Sequence, residues 1–175
     1  RAAEQNNPNI NLDKIYLDAY QQVTYSSSAR YPEVTAAINN RMNKGCLLFN
    51  YIGHGGKNGW ATERILELTD INKWANRYNQ PWMITLTCEF GWYDRALISP
   101  AELVFLNAKG GASALITTSR VAFTGSNHTY GNHIYARIFD EINGRPMTIG
   151  EINRIAKNAS GGANSSLNMI YVMGD

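Results

Sequence analysis

The sequence predicts an α/β domain built on a mainly parallel, doubly wound sheet, and three features point to it. Three apolar runs, at positions 45–53, 82–88 and 112–119, have the length and glycine boundaries of strands buried on both faces. The stretches between them carry helical spacing and helix-terminal signals. Alternation of this kind places crossover helices on both faces of a parallel sheet.

In chain order, Ile15-Tyr16-Leu17-Asp18-Ala19-Tyr20 predicts a short first strand and Ser26-Ser27-Ser28 the loop after it. Pro32 suits the first turn of a helix whose inner face is Val34, Ala37, Ile38 and Met42, with Gly45 as its stop. That helix leads into the first apolar run, which ends at Gly53-His54-Gly55-Gly56. Thr69 is placed to cap a helix with Ile71, Trp74, Ala75 and Tyr78 inward, and Pro81 prevents its continuation into the strand at 82–88. Ser99-Pro100-Ala101-Glu102 joins a capping box to a proline at the first helical position; Leu103 and Leu106 face inward, and Gly110-Gly111 ends the helix. After the strand at 112–119 comes a polar loop, Gly125-Ser126-Asn127-His128. Tyr130, Ile134, Ile138 and Ile142 then recur every four residues, which predicts a helix closed by Gly144. Thr148-Ile149-Gly150-Glu151 is a second capping box, opening a helix with Ile152, Ile155 and Ala156 inward. Ser160-Gly161-Gly162 reads as a flexible break and Met169-Ile170-Tyr171-Val172-Met173 as the last strand.

At 175 residues, 44% apolar and 17% charged, the chain fits one soluble globular domain, neither disordered nor membrane-spanning. A net charge of +2, from scattered Lys and Arg, makes no case for nucleic acid or lipid. The chain opens at Arg1, without Met or an apolar signal segment, and is expected to be a piece of a longer protein. Its two cysteines, Cys46 and Cys88, form no CxxC and have no zinc-site spacing.

Two apolar strands thus end in chemically capable residues, His54 and Cys88, one crossover apart. Neighbouring strands lie about 4.8 Å apart, so a thiol and an imidazole at their carboxyl ends can meet as a nucleophile and its base. A nearby imidazolium lowers a thiol pKa from about 8.5 toward neutrality. The glycines let backbone approach a substrate, so the Gly55 and Cys88 amides are candidate oxyanion donors.

Plainer readings stand beside this one. A cysteine ending a buried strand is usually a small core hydrophobe, but a histidine among glycines is harder to explain as core. Cys46, at the other end of its strand, is read as packing. His128 and His133 are read as solvated structural residues, and a zinc site formed by them with Cys88 has no supporting ligand spacing. No GxxxxGK[ST] or GxSxG accompanies the glycines around His54, which sets aside a phosphate loop and a serine esterase.

Asn50-Tyr51-Ile52-Gly53-His54-Gly55-Gly56, Trp60-Ala61 and Leu86-Thr87-Cys88-Glu89-Phe90 together resemble the gingipain-like cysteine peptidases of family C25, which have the caspase-like fold of clan CD. Cys88-Glu89-Phe90, Tyr93-Asp94, Ser99-Pro100-Ala101-Glu102, Gly110-Gly111-Ala112 and Thr117-Thr118-Ser119-Arg120 are similar to its type IX secretion sortase branch. The resemblance implies Cys88 as nucleophile, His54 as general base and acid, and the Gly55 and Cys88 amides as the oxyanion hole, with no cofactor or metal. For the sortase branch it implies secreted cargo with C-terminal sorting domains, anionic lipopolysaccharide as acyl acceptor, other secretion-system subunits as partners and a cell-surface location. The family's histidine-orienting acid lies upstream of the His-Gly strand; Asp18 is the nearby substitute, with a turn residue as its plainer reading. In the family the segment after the third strand lines the substrate cleft, which brings in Thr118, Ser119 and Arg120. Glu89 is a further cleft candidate, read as binding a substrate amine or holding the loop, and Arg120 is read as pairing with a substrate carboxylate or with Glu89, with an ordinary surface role as its plainer reading. The alternative function is a non-catalytic caspase-like module that binds a peptide without turnover.

Overall fold

The computed structural model describes residues 8–25, 28–161 and 165–174. Residues 15–20 do not form the expected strand. Ile15, Leu17 and Tyr20 turn toward the core while Asp18 and Ala19 face solvent, a spacing that suits a 3-10 turn (Leu17–Ala19) rather than alternation. A small antiparallel hairpin follows, β1 (Val23–Tyr25) and β2 (Ser28–Arg30). Ser28 belongs to β2, and Ser26 and Ser27 of the expected loop lie outside the described residues.

Pro32 opens α1 (Pro32–Lys44), which buries Val34, Ile38 and Met42, and Gly45 ends it at φ +89°. β3 (Leu48–Ile52) is shorter than its apolar run and alternates in burial, because it lies at one edge of the sheet instead of inside it. Three two-residue strands come next, β4 (Gly55–Gly56), β5 (Gly59–Trp60) and β6 (Leu66–Glu67), forming a separate antiparallel sheet.

The helix expected after Thr69 is a single turn, α2 (Leu68–Ile71), capped by Glu67 and Asp70. Side-chain amides take the backbone groups that a longer helix would need. Asn107 Nδ2 donates to the Ile71 and Trp74 carbonyls, Asn43 accepts from the Ala75 amide, and Asn76 bonds both the N–H and the C=O of Gly111. Trp74 is buried, whereas Ala75 and Tyr78 are exposed.

β7 (Trp82–Leu86) sends Met83 to one face and Ile84 and Leu86 to the other. α3 (Pro100–Leu106) begins at the expected capping box, with Ser99 and Glu102 bonding each other's backbone. Glycine is required at 111: its φ is +89°, and a Cβ there would fall 1.9 Å from the Val104 carbonyl oxygen. β8 (Ala114–Thr118) is buried throughout. The next helix, α4 (Thr124–Tyr135), includes the stretch expected as polar loop and ends well before Gly144. Asn143-Gly144, both at positive φ, instead turn a hairpin between β9 (Glu141–Ile142) and β10 (Arg145–Pro146). α5 (Ile149–Ala159) starts at the expected Thr148/Glu151 box, and α6 (Ser165–Asn168) and β11 (Ile170–Met173) close the chain. Gly162, in the expected break, lies outside the described residues.

The central sheet runs β11-β8-β7-β3, with β3, β7 and β8 parallel and β11 antiparallel to β8. One core face packs α1, α2, α3 and the small sheet around Phe49, Trp60, Met83 and Leu115; the other packs α4, α5 and α6 around Ile84, Leu86, Ile116 and Ile170. This is a doubly wound α/β architecture with a mostly parallel sheet, as the sequence predicts. No helix among the described residues is long and apolar enough to cross a membrane.

Candidate active site

β3 and β7 pair in register from Leu48↔Trp82 to Ile52↔Leu86. His54 and Cys88 each follow two residues after that last pair. Both therefore stand beyond the carboxyl ends of adjacent parallel strands, where open α/β sheets carry their sites.

The strand cannot continue past Ile52 because the chain turns into the small sheet. The His54 carbonyl accepts from the Tyr51 hydroxyl (2.6 Å) and from the Ala61 amide (2.7 Å), which fixes the peptide on which the imidazole is carried. Burial, reinforced by the negative charge of Glu63, pushes the Tyr51 hydroxyl well above its ordinary pKa, so it stays a donor. Trp60 anchors the hairpin from beneath: its ring stacks on Tyr51 at 4.2 Å and its Nε1 donates to Thr85 Oγ1 (3.1 Å). The bond from Ala61 to His54 makes their pair the hydrogen-bonded kind, so the next pair, Gly55 with Trp60, is the other kind. The Gly55 N–H is thereby turned out of the ladder at the open edge of β4.

The chain after Cys88 is tied down at nearly every residue. Glu89 N–H donates to the Arg120 carbonyl (3.2 Å), Gly91 N–H to that of Thr118 (2.9 Å), and the Tyr171 hydroxyl to the Gly91 carbonyl (2.6 Å). Phe90 is buried against Trp60, and its carbonyl accepts from the Ala101 amide at the start of α3. These restraints hold Glu89 at φ +53°, an unusual backbone for a residue with a side chain. The Cys88 amide has no acceptor among the described residues. Its thiol lies 3.6 Å from the Ala122 carbonyl, a weak S–H···O contact from the loop between β8 and α4.

An open cleft of about 390 Å³ borders this corner, lined by His54, Gly55, Gly59, Trp60, Arg64 and Glu89 among others. Glu89 is among the residues that line it. Arg120 pairs instead with Asp94 (2.5 Å), with its guanidinium over the Trp92 ring at 5.1 Å, so neither a free partner for a substrate carboxylate nor a bond to Glu89 is found. That guanidinium holds the Asp94 carboxyl below its ordinary range. Thr118 and Ser119 do not present side chains to the cleft: Thr118 Oγ1 donates to the Thr87 carbonyl and Ser119 Oγ to that of Met169. Asp18 sits exposed on its 3-10 turn, without the strand that was to deliver it to His54.

Cys46 and Cys88 are both free thiols. His128 bonds Asn132 on the exposed face of α4, and no group of three His, Cys, Asp or Glu side chains among the described residues is placed to hold a metal ion. Sequence reasoning gave no site role to Tyr51, Thr87, Trp92, Asp94 or Ala122. Tyr51, three residues before His54, and Thr87, next to Cys88, lie close in sequence; Trp92, Asp94 and Ala122 reach the site through loop contacts.

The model of peptidase family C25 matches residues 1–175. Among solved structures, the Arg-specific cysteine proteinase gingipain R is similar at a TM-score of 0.71 with 20% identity, over 81% of this chain and 35% of that one. A complex of the Porphyromonas gingivalis RgpB pro- and mature domains is similar at 0.71 with 21% identity, over 81% and 36%. The chain therefore spans about a third of the length of these neighbours. At such identity the likeness shows the shared caspase-like fold alone. No curated protein matches the chain.

Proposed function

Because the chain belongs to peptidase family C25, we propose that it carries the dyad of a cysteine peptidase, with Cys88 as nucleophile and His54 as general base and acid. The observation behind this reading is the parallel pairing of β3 and β7, whose carboxyl ends His54 and Cys88 follow, with an open cleft lined by His54 and Glu89 alongside. His54 takes the Cys88 proton, the thiolate adds to the acyl carbon, and the Gly55 and Cys88 N–H groups receive the oxyanion. Collapse of that intermediate passes the proton from His54 to the departing amine and leaves a thioester. Water or a second amine then displaces it, with His54 as base.

The finer proposal is transpeptidation by a PorU-like sortase of type IX secretion. Its cargo would be secreted proteins bearing C-terminal sorting domains, and its acceptor an amine on anionic lipopolysaccharide at the cell surface, alongside other secretion-system subunits. It rests on the stretches from Cys88 to Arg120 that resemble that branch. A second reading is favoured by the contact between the Cys88 thiol and the Ala122 carbonyl: a module that binds peptide with its thiol held off the histidine.

The test is to treat the full-length protein with an activated peptide ester and map the adduct by mass spectrometry. Peptidase chemistry predicts acylation at Cys88 and a fall of at least ~100-fold in His54→Ala. Peptide binding without acylation, unchanged in Cys88→Ala, would select the binding module. Release of the acyl group to an added amine in preference to water separates the sortase from a hydrolase.

A further inference from the structure

One contact joins the histidine-bearing segment directly to the nucleophile-bearing one. Thr87, immediately before Cys88, is almost wholly buried, and its side chain lies against the α-carbon of Gly55, immediately after His54. A Cβ built on Gly55 would fall 2.3 Å from Thr87 Oγ1, closer than real contacts allow, with Thr87 Cγ2 at 3.0 Å and the Gly59 carbonyl oxygen at 3.2 Å, both tighter than most. Glycine is required here by close approach, since no positive φ demands it.

Thr87 itself cannot retreat. Its carbonyl is held by Thr118 Oγ1. Two residues back on the same face of β7, Thr85 accepts from Trp60, the ladder partner of Gly55. The hairpin therefore docks on β7 at two threonines: one makes a hydrogen bond, and the other offers its shape. No hydrogen-bond partner for the buried Thr87 Oγ1 is found among the described residues.

We propose that Thr87 is a positioning residue for the oxyanion hole: its side chain is the spacer that sets the Gly55 N–H level with that of Cys88. The proposal rests on the peptidase reading and assigns to it a residue that does not touch substrate. Two donors at the ends of different segments stabilise one oxygen only if their separation is held, and Thr87 is in direct contact with one segment while forming part of the other.

The experiment compares two reactions of Cys88 in the full-length protein. Acylation by a peptide ester passes through an oxyanion; alkylation by iodoacetamide does not. Gly55→Ala is expected to slow acylation at least ~100-fold, in line with loss of an oxyanion donor, with alkylation changed less than about twofold. Thr87→Ala should lower kcat for acylation about tenfold with KM unchanged, and Gly55→Ala combined with Thr87→Ala should regain at least about tenfold over Gly55→Ala alone. Thr87→Val, which keeps the shape and removes the unpartnered hydroxyl, should retain acylation with an equal or higher Tm. The spacer is overturned if Thr87→Ala acylates normally, if the double variant is no faster than Gly55→Ala, if alkylation falls in step with acylation, or if a folded Thr87→Val loses rate. A wild-type protein that alkylates but never acylates at Cys88 removes the peptidase reading, and this proposal with it.

Discussion

At the scale of single residues, the two thiols of the chain are distinguished by position before chemistry. Cys46 lies at the start of the run leading into β3, half-buried against the core around α1. Burial raises its thiol pKa above the ordinary value, and the nearby Arg41 charge offsets this only in part. At pH 7.5, iodoacetamide should therefore modify Cys46 more slowly in the folded protein than in the urea-unfolded chain, with the folded rate still climbing above pH 9. Quantitative peptide mapping across a pH series checks it, and equal rates in the two states would contradict the burial argument. Cys88 stands past the opposite, carboxyl end of its strand, and His54 follows the same end of the neighbouring strand. Position on the strand separates a packing cysteine from a candidate nucleophile more clearly than any feature of the residue itself.

At the scale of elements, the two capping boxes show how far local sequence reaches. Ser99/Glu102 and Thr148/Glu151 both start helices where their spacing says they should, because each box satisfies the free N–H groups of its own first turn. Glu151 does more than cap. Both its oxygens bond Arg145 on β10, at 2.7 and 2.9 Å, and its pKa is lowered to about 2, first by that contact and then by the Thr148 amide. Its folded pKa lies below the ordinary 4.5, so the stabilising contribution is complete above pH 4.5 and lost as pH falls toward 2. Glu151→Gln should lower Tm slightly at pH 7, and the gap from wild type should close between pH 4.5 and 2 in thermal melts. Because both side chains meet solvent, the gap will be small. The expected helix after Thr69 shows the limit of local signals: only Ile71 and Trp74 of its expected inner face are buried, and distant asparagines bond its backbone.

Across the whole molecule, the sheet divides two cores, and polar residues decide how its layers join. Asn76 is the clearest case, a buried amide bonding both the N–H and the C=O of Gly111 and so tying the segment after α2 to the entrance of β8. Asn76→Ala would leave both groups of Gly111 buried without partners, at a cost of about 2–4 kcal/mol. Urea unfolding should show that loss as a lower midpoint with an unchanged m-value. A shift under 0.5 kcal/mol would mean that the backbone finds other partners.

The sequence alone determined the α/β class, the three parallel strands, both capped helices and the two residues now proposed as the dyad. Each of these rests on local chemistry: apolar runs bounded by glycine, caps three residues apart, and a histidine and a cysteine at strand ends. Only the tertiary structure decided that β3 is an edge strand, that residues 72–80 are not helical, that Arg120 belongs to Asp94, and that Thr118 and Ser119 face away from the cleft. It also supplied Tyr51 on the His54 carbonyl and Thr87 against Gly55. These outcomes depend on which distant backbone and side-chain groups come within hydrogen-bond or van der Waals reach, and no periodicity along the chain encodes that distance.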